Sequence, residues 1–258
     1  MSAAMSAALT LYRFLTGGVG AVATPLARLL APRGSAWRAR FGPADDIGRA
    51  AGGPWIHAAS MGEAAAALRW AEALLAAGYR APLFITTRTA AGLARIRGEG
   101  GSNAVAAVAP LDFPQAVRRV LGAAAPMRLD LIETELWPNL LLEAHAAGVP
   151  AVAVSATVSA RTAARLRSLG LGGDALFGPL HVLAQSERHA ERFRTLGVAA
   201  ERCRVIGDLK ADRIVGADVD SPGPDARRLV VFASLRPGEE EAAVAVARML
   251  AARPDAGA

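Results

Sequence analysis

Residues 54–63 read Pro54-Trp55-Ile56-His57-Ala58-Ala59-Ser60-Met61-Gly62-Glu63. A short apolar run ends at Ala59, a turn with a glycine follows, and an alanine-rich stretch runs from Ala64 to Gly78. This pattern predicts strand, tight turn and helix, the opening half of a βαβ unit. Glu63 falls in the first helical turn, at the carboxyl end of the first strand, the edge on which open α/β sheets bind ligands. Two readings of Glu63 stand here. Ser60-x-x-Glu63 fits a capping box, with the glutamate reaching back to the Ser60 N–H, and the helix dipole favours a carboxylate there in any case. The other reading is a general base, kept ionised by the dipole, with Gly62 letting a substrate approach the backbone.

Outward from this stretch the alternation continues. Strands are expected near Trp55–Ala58, Leu83–Thr87, Val105–Val108, Arg128–Ile132, Ala151–Ser155, His181–Ala184 and Cys203–Ile206. Helices are expected over about 62–77, 159–169 and 187–196, with others opened by Thr86-Thr87-Arg88-Thr89-Ala90-Ala91-Gly92 and by Leu111-Asp112-Phe113-Pro114, where Asp112 or Phe113 precedes a proline suited to the first helical position. Short connections between alternating elements predict a mostly parallel, doubly wound sheet. The hydroxyls of Thr87 and Thr89 either serve an anion or cap the helix they open.

The domain plan follows. Residues 1–31 form an apolar N-terminal segment, with a Pro-, Gly- and Arg-rich connector over 31–53. Residues 45–212 form the first domain, and 213–228 read as an interdomain linker. Residues 229–258 begin a second domain, with a strand at Leu229–Ala233, a turn over Ser234-Leu235-Arg236-Pro237-Gly238-Glu239-Glu240 and a helix at Glu241–Ala252. One βα unit holds too little core to fold alone, so this second domain is expected to be incomplete.

Composition narrows the function. The single cysteine, Cys203, rules out an intrachain disulfide, and with four scattered histidines it argues against a zinc site. His57, inside the first strand, reads as a hydrogen-bonded core residue. The net charge is +6, and Lys210 is the only lysine among 29 basic residues. The arginines are spread without a basic run or interleaved aromatics, which argues against nucleic acid. A basic chain still suits an anionic membrane surface or a phosphorylated ligand. The charge-free run Phe14–Ala27 has 14 residues (14 to 27 inclusive), short of the roughly 20 that span a bilayer. It is either a helix packed on the domain or a monotopic anchor whose arginines snorkel to headgroups.

Two further stretches carry chemistry. Glu133-Thr134-Glu135-Leu136-Trp137-Pro138-Asn139 follows the fourth strand, on the same sheet edge as Glu63. Its two carboxylates are either hydrated and idle or, in a partly apolar crevice, position the hydroxyls of a sugar. Trp137-Pro138 fixes the start of the next helix, and Trp137 itself is open to a packing role. Lys210, in Gly207-Asp208-Leu209-Lys210, is either a chance survivor or a compact point charge for an active-site carboxylate or a phosphate.

Taken together, residues 55–63, 86–92 and 133–139, Ala184-Gln185-Ser186 and Gly207-Asp208-Leu209-Lys210 resemble the 3-deoxy-D-manno-octulosonic acid (Kdo) transferases in order and spacing. The most specific stretch is 133–139, and Ser234 to Glu240 resembles the opening of the family's second domain. The resemblance implies a GT-B glycosyltransferase with two Rossmann-like domains. It implies transfer of Kdo from CMP-Kdo to a lipid A precursor at the cytoplasmic face of the inner membrane, with inversion and with no metal or cofactor. Glu63 falls on the family's catalytic glutamate, the base that deprotonates an acceptor hydroxyl. Ser60, Gly62, Thr87, Thr89, Glu133, Glu135, Trp137, Asn139, Ser186 and Lys210 are then substrate-binding or supporting residues. Ser234, Arg236, Gly238 and Glu239 are donor-binding.

The chain departs from the family pattern at Asp208, where Asn is usual, at Ser155-Ala156-Thr157, where Asn-Ala-Arg is common, and at Arg236, where histidine is frequent. Since such enzymes hold most of the nucleotide in the second domain, the 258 residues are expected to bind acceptor without transferring Kdo. Competing readings are another GT-B transferase, such as a lipid A disaccharide synthase, and a non-catalytic lipid-binding module on a membrane surface.

Overall fold

The computed structural model describes residues 5–44, 46–211, 232 and 238–251. The chain divides into two compact units, Met1–Val215 and Gly216–Ala258. In the first, seven strands form one sheet: β1 (Pro54–Ala58), β2 (Leu83–Thr87), β3 (Ala104–Val108), β4 (Arg128–Ile132), β5 (Ala151–Ala156), β6 (His181–Ala184) and β7 (Cys203–Val205). Their spatial order is β3-β2-β1-β4-β5-β6-β7, and every pairing is parallel. This is the doubly wound α/β sheet that the alternating pattern predicts. The winding reverses between β1 and β4, and a crevice opens at such a switch point beyond the strands' carboxyl ends.

The strands read as continuous apolar runs because both faces are covered. Successive residues divide between two cores by the twofold alternation of a strand. Trp55, Phe84, Leu129 and Leu131 enter one core, and Ile56, Ile85 and Ile132 enter the other. Helices α3 (Met61–Ala76) and α4 (Ala90–Glu99) cover the second face, with Ala64, Ala67 and Leu68 of α3 packed against β1 and β2. Helices α5 (Pro114–Ala124) and α6 (Pro138–Ala146) cover the first through Val117, Val120, Leu140 and Leu141. Helices α7 (Ala160–Ser168), α8 (Asp174–Phe177) and α9 (Glu187–Thr195) extend that layer, burying Ala163, Phe177 and Phe193.

The N-terminal stretch is one helix, α1 (Ala7–Leu30), with Pro25 inside it. Gly17, Gly18 and Pro25, which weaken a helix in isolation, do not interrupt it. Packing on α5 holds it: Gln115 Nε2 donates to the Gly17 carbonyl at 2.9 Å, and Arg13 pairs with the buried Glu143 of α6 at 2.6 Å. At Gly20 a Cβ would lie 2.9 Å from the Phe113 Cβ, so the close approach of α1 requires glycine there. Among the described residues no helix is long and apolar enough to cross a membrane.

The predicted connector 31–53 is more ordered than its composition suggests. It contains α2 (Ala36–Ala39) and a 3-10 turn at Ile47–Ala50, and it buries Phe41, Ile47 and Ala50. In the second unit α10 (Glu240–Ala251) carries Glu240 and Glu241 in its first turn and Arg248 in its last, the arrangement a helix dipole favours. The expected linker 213–228 and strand Leu229–Ala233 lie outside the described residues, apart from Phe232.

Asp130 in β4 is fully buried. It accepts from Arg128 Nε and Nη2 at 2.6 and 2.8 Å and from Trp70 Nε1 at 2.7 Å. Arg128→Ala leaves that carboxylate inside without its counter-charge, and stability should fall by roughly 3–5 kcal/mol. Urea unfolding measures this, and an unchanged midpoint would refute it.

Candidate active site

The β1–α3 turn holds Glu63 firmly. Ser60 caps α3, its Oγ accepting from the Glu63 N–H at 3.2 Å. Glu63 Oε2 accepts from the Ala59 and Ser60 N–H groups at 2.6 and 3.1 Å. The capping box is therefore formed, with the Ala59 bond in addition. Both bonds fall on Oε2, and the described residues give Oε1 no bond. Gly62 beside it is exposed, and a Cβ there would meet nothing nearer than Ser60 Oγ at 3.9 Å.

The neighbouring turns are tied to this one. Thr87, fully buried, donates to the Ala59 carbonyl at 3.2 Å, and the Arg88 N–H donates to the same oxygen at 3.2 Å. Thr89 caps α4 by accepting from the Gly92 N–H at 3.1 Å. The hydroxyls of Thr87 and Thr89 thus hold the backbone of two adjacent turns.

The acidic loop after β4 separates its carboxylates. Glu133 adopts a left-handed backbone, φ 61°, and its side chain pairs with Lys210. Lys210 is 44% exposed, and its N–H donates to Asp208 Oδ1 at 2.9 Å. The chain after β7 is drawn back toward β5, because the Leu209 N–H donates to Ser155 Oγ at 3.2 Å. Lys210 therefore lies between Glu133 and a groove of about 590 Å³, which it lines with Gly62 and Leu209.

Glu135 turns the other way. It is 9% exposed and accepts at Oε2 from Trp137 Nε1 at 2.6 Å, with His57 Nε2 at 3.2 Å. His57 Nδ1 lies 3.0 Å from Thr86 Oγ1, which accepts from Trp55 Nε1 at 2.8 Å. Burial pushes the Glu135 carboxyl up, but the His57 and Trp137 hydrogen bonds and the charges of His57 and Arg88 outweigh it and hold the group below the usual carboxylate range. The Arg88 guanidinium lies 4.5 Å from the Trp137 ring centroid. His57, Arg88 and Trp137 line a cavity of about 50 Å³.

Some expected residues do not join this edge directly. Asn139 is fully buried and bonds to Thr16 Oγ1 and the Asp112 carbonyl at 2.9 and 2.5 Å. Ser186 is the N-cap residue of α9 but makes no side-chain cap bond. Gly238, with φ 94°, donates its N–H to Glu240 Oε2 at 2.6 Å within the second unit, beside Glu239. Ser234 and Arg236 lie outside the described residues. Sequence reasoning missed the link from Thr86 through His57 to Glu135, and it missed Arg88 over Trp137. Only the alternation placing His57 and Thr86 on adjacent strands hinted at the first, and nothing hinted at the second. Among the described residues no cluster of three or more His, Cys, Asp or Glu side chains has metal-holding geometry.

The all-parallel sheet and its strand order define a Rossmann-like α/β domain with a binding edge at the switch point. The chain belongs to the 3-deoxy-D-manno-octulosonic-acid transferase (kdotransferase) family, whose model matches residues 35–213 and so spans every site residue of the first unit. It is 38% identical over 205 residues to a 3-deoxy-D-manno-octulosonic acid transferase of Bordetella pertussis, covering 72% of this chain and 45% of that one. It is 30% identical over 161 residues to the transferase of that name from Haemophilus influenzae, covering 62% and 38%. A probable mitochondrial 3-deoxy-D-manno-octulosonic acid transferase of Arabidopsis thaliana is 29% identical over 263 residues, covering 93% and 57%. The chain thus spans about half the length of the curated relatives it matches.

The lowered Glu135 carboxyl gives a pH prediction. A group whose folded pKa lies below its unfolded value contributes stability above the ordinary carboxylate pKa, about 4.3, and loses it as pH falls through the folded value. Asp112, pushed up chiefly by burial, acts in the opposite sense and is common to both proteins compared. Glu135→Gln should therefore cost stability near neutral pH, and its difference from wild type should shrink as pH drops toward about 3. Urea unfolding across that range reads it, and a difference independent of pH would contradict the assignment.

Proposed function

We propose that this chain supplies the acceptor-binding part of a Kdo transferase of lipopolysaccharide biosynthesis, an enzyme that moves Kdo from CMP-Kdo to a lipid A precursor with inversion and without a metal. The observation that carries the reading is Glu63, held in the first turn of α3 on the switch-point edge, next to Gly62, which lines an open groove. Its Oε2 is anchored by two backbone N–H groups, and Oε1 faces the proton of an acceptor hydroxyl. That hydroxyl attacks the anomeric carbon, and CMP departs with the bonding electrons. Gly62 leaves room for the acceptor. Lys210, backed by Glu133, supplies a positive charge at the groove for anionic groups of either substrate.

The acceptor's lipid character fits α1. Its inner side is pinned to α5 and α6, while Phe14 is 75% and Leu29 80% exposed, with Leu15, Val22 and Leu26 also outward. Trp37 of α2 is exposed as well. An amphipathic helix of this kind lies in a membrane interface, here the cytoplasmic face of the inner membrane. The packed and the membrane-facing readings of α1 then describe its two sides.

Transfer assays on the full gene product, offering CMP-Kdo against UDP-sugars, test the reading, and use of UDP-sugars alone would overturn it. Glu63→Gln should lower transfer by about 100- to 10,000-fold. Its stability should fall by at most about 0.5–2 kcal/mol, the worth of a cap, and full activity would remove Glu63 as the base. Phe14→Glu with Leu29→Glu should weaken sedimentation with anionic vesicles, and added salt should weaken it for wild type through screening of the arginines. Unchanged vesicle binding in the variant would place the contact elsewhere.

A further inference from the structure

Asp112 sits in an unexpected place. It precedes α5, whose N-cap residue is Phe113 and whose first position is Pro114, and it makes no cap bond there. Its carboxylate crosses to α6. Oδ1 accepts from the Leu140 N–H at 2.8 Å, and Oδ2 accepts from the Asn139 N–H at 3.0 Å. Trp137, at the N-cap position of α6, makes no side-chain cap bond. Asp112 therefore caps α6 from another segment, and the Trp137 indole remains available to Glu135 and Arg88.

The same carboxylate receives the Tyr12 hydroxyl of α1 at 2.8 Å. Asn139 Nδ2 donates to Thr16 Oγ1 at 2.9 Å and to the Asp112 carbonyl at 2.5 Å. Thr16 in turn donates to the Tyr12 carbonyl at 2.7 Å. Tyr12, Asp112, Asn139 and Thr16 thus close a ring of hydrogen bonds between α1 and the first turn of α6, immediately after the acidic loop. A helix that only covered α5 would need apolar contact alone, whereas here each of the four side chains makes at least one hydrogen bond within the ring, and Asn139 Oδ1 alone is left without a partner.

We infer that Asp112 is a positioning residue for the loop Glu133–Trp137, and that Tyr12 and Thr16 complete the clamp, so that the seating of α1 sets the geometry of that loop. This rests on the reading of the loop as part of the transfer site. Burial raises both the Asp112 carboxyl and the Tyr12 hydroxyl above their usual ranges. Asp112 also lines the same cavity as His57, Arg88 and Trp137.

Tyr12→Phe and Thr16→Val test the inference, since each opens the ring from α1 while keeping nearly the same volume. Asp112→Asn is the more direct change but also the one more exposed to misfolding, so the α1 variants decide. The Trp137 indole N–H signal is followed by nitrogen-15 NMR, and the Asn139 and Leu140 amides by hydrogen exchange. In either variant these amides should exchange roughly two- to tenfold faster, the effect of one lost hydrogen bond. The Trp137 indole signal should move while that of Trp70, bonded to Asp130, stays in place. In the full gene product kcat should fall severalfold with KM nearly constant. Faster exchange confined to α1, with the Trp137 signal and the α6 amides unchanged, would reduce α1 to a cover and overturn the inference. An unchanged kcat alongside a moved Trp137 signal would also overturn it. If the wild type transferred no Kdo, the functional reading would fail, and the NMR and exchange results would still decide the clamp.

Discussion

The contact between His57 and Glu135 joins the three strands around the switch point. His57 belongs to β1, its other nitrogen meets Thr86 of β2, and Glu135 follows β4. A buried imidazole with both nitrogens bonded fixes its ring plane, and a carboxylate held by an imidazole and an indole cannot rotate freely. The acidic loop is therefore set by the centre of the sheet and not by its own sequence. That constraint sends Glu135 inward and leaves Glu133 outward to meet Lys210. Removing one member would strand a polar group among apolar neighbours, so the network forms as a unit or costs more than it contributes.

The fold was legible because its signals are local. Apolar runs, glycine stops and prolines at the first helical position mark strands and helices without knowledge of partners, as at Pro54–Ala58 and at Pro114. The capping box of Ser60 and Glu63 was legible for the same reason. Lys210 stood out as the only lysine, although its pairing with Glu133 depends on how the chain returns after β7. The Asp112 bonds were not legible. A carboxylate two residues before Pro114 is expected to cap the helix that follows it, whereas this one serves residues 27 and 28 positions further on. Nor was the link from His57 to Glu135 legible, since it joins residues 78 apart through a register that only the folded sheet fixes.

Helix α1 shows why composition left two readings open. Its outward residues are largely apolar, and its inward residues include Tyr12, Arg13 and Thr16, each with a buried polar partner on α6 or the turn between β3 and α5. Mean hydropathy cannot separate these faces, because separating them requires knowing which side meets the protein. The polar pins fix the helix in rotation, and rotation decides which apolar residues remain outside.

Two left-handed residues at the ends of adjacent strands complete the design of the edge. Glu133 has φ 61° and Ser155 φ 51°, a conformation that costs an ordinary residue roughly 1–2 kcal/mol. The register between β5 and β6 shifts at Ser155, between Val154 and Ala156. The turn carries the Ser155 hydroxyl to where it accepts from Gln185 Nε2 and the Leu209 N–H, both at 3.2 Å. The second bond pulls the segment after β7 back past β6 and delivers Lys210 to Glu133. The departures at these positions then have a physical account. Asn tolerates the left-handed region better than Ser and offers a side-chain acceptor of its own, so either residue can hold the Leu209 N–H, and Ser does so at greater backbone cost. Asp208 uses Oδ1 to accept from the Lys210 N–H, a bond that an asparagine oxygen makes equally well. The backbone task survives both changes, and with it the placement of the lysine.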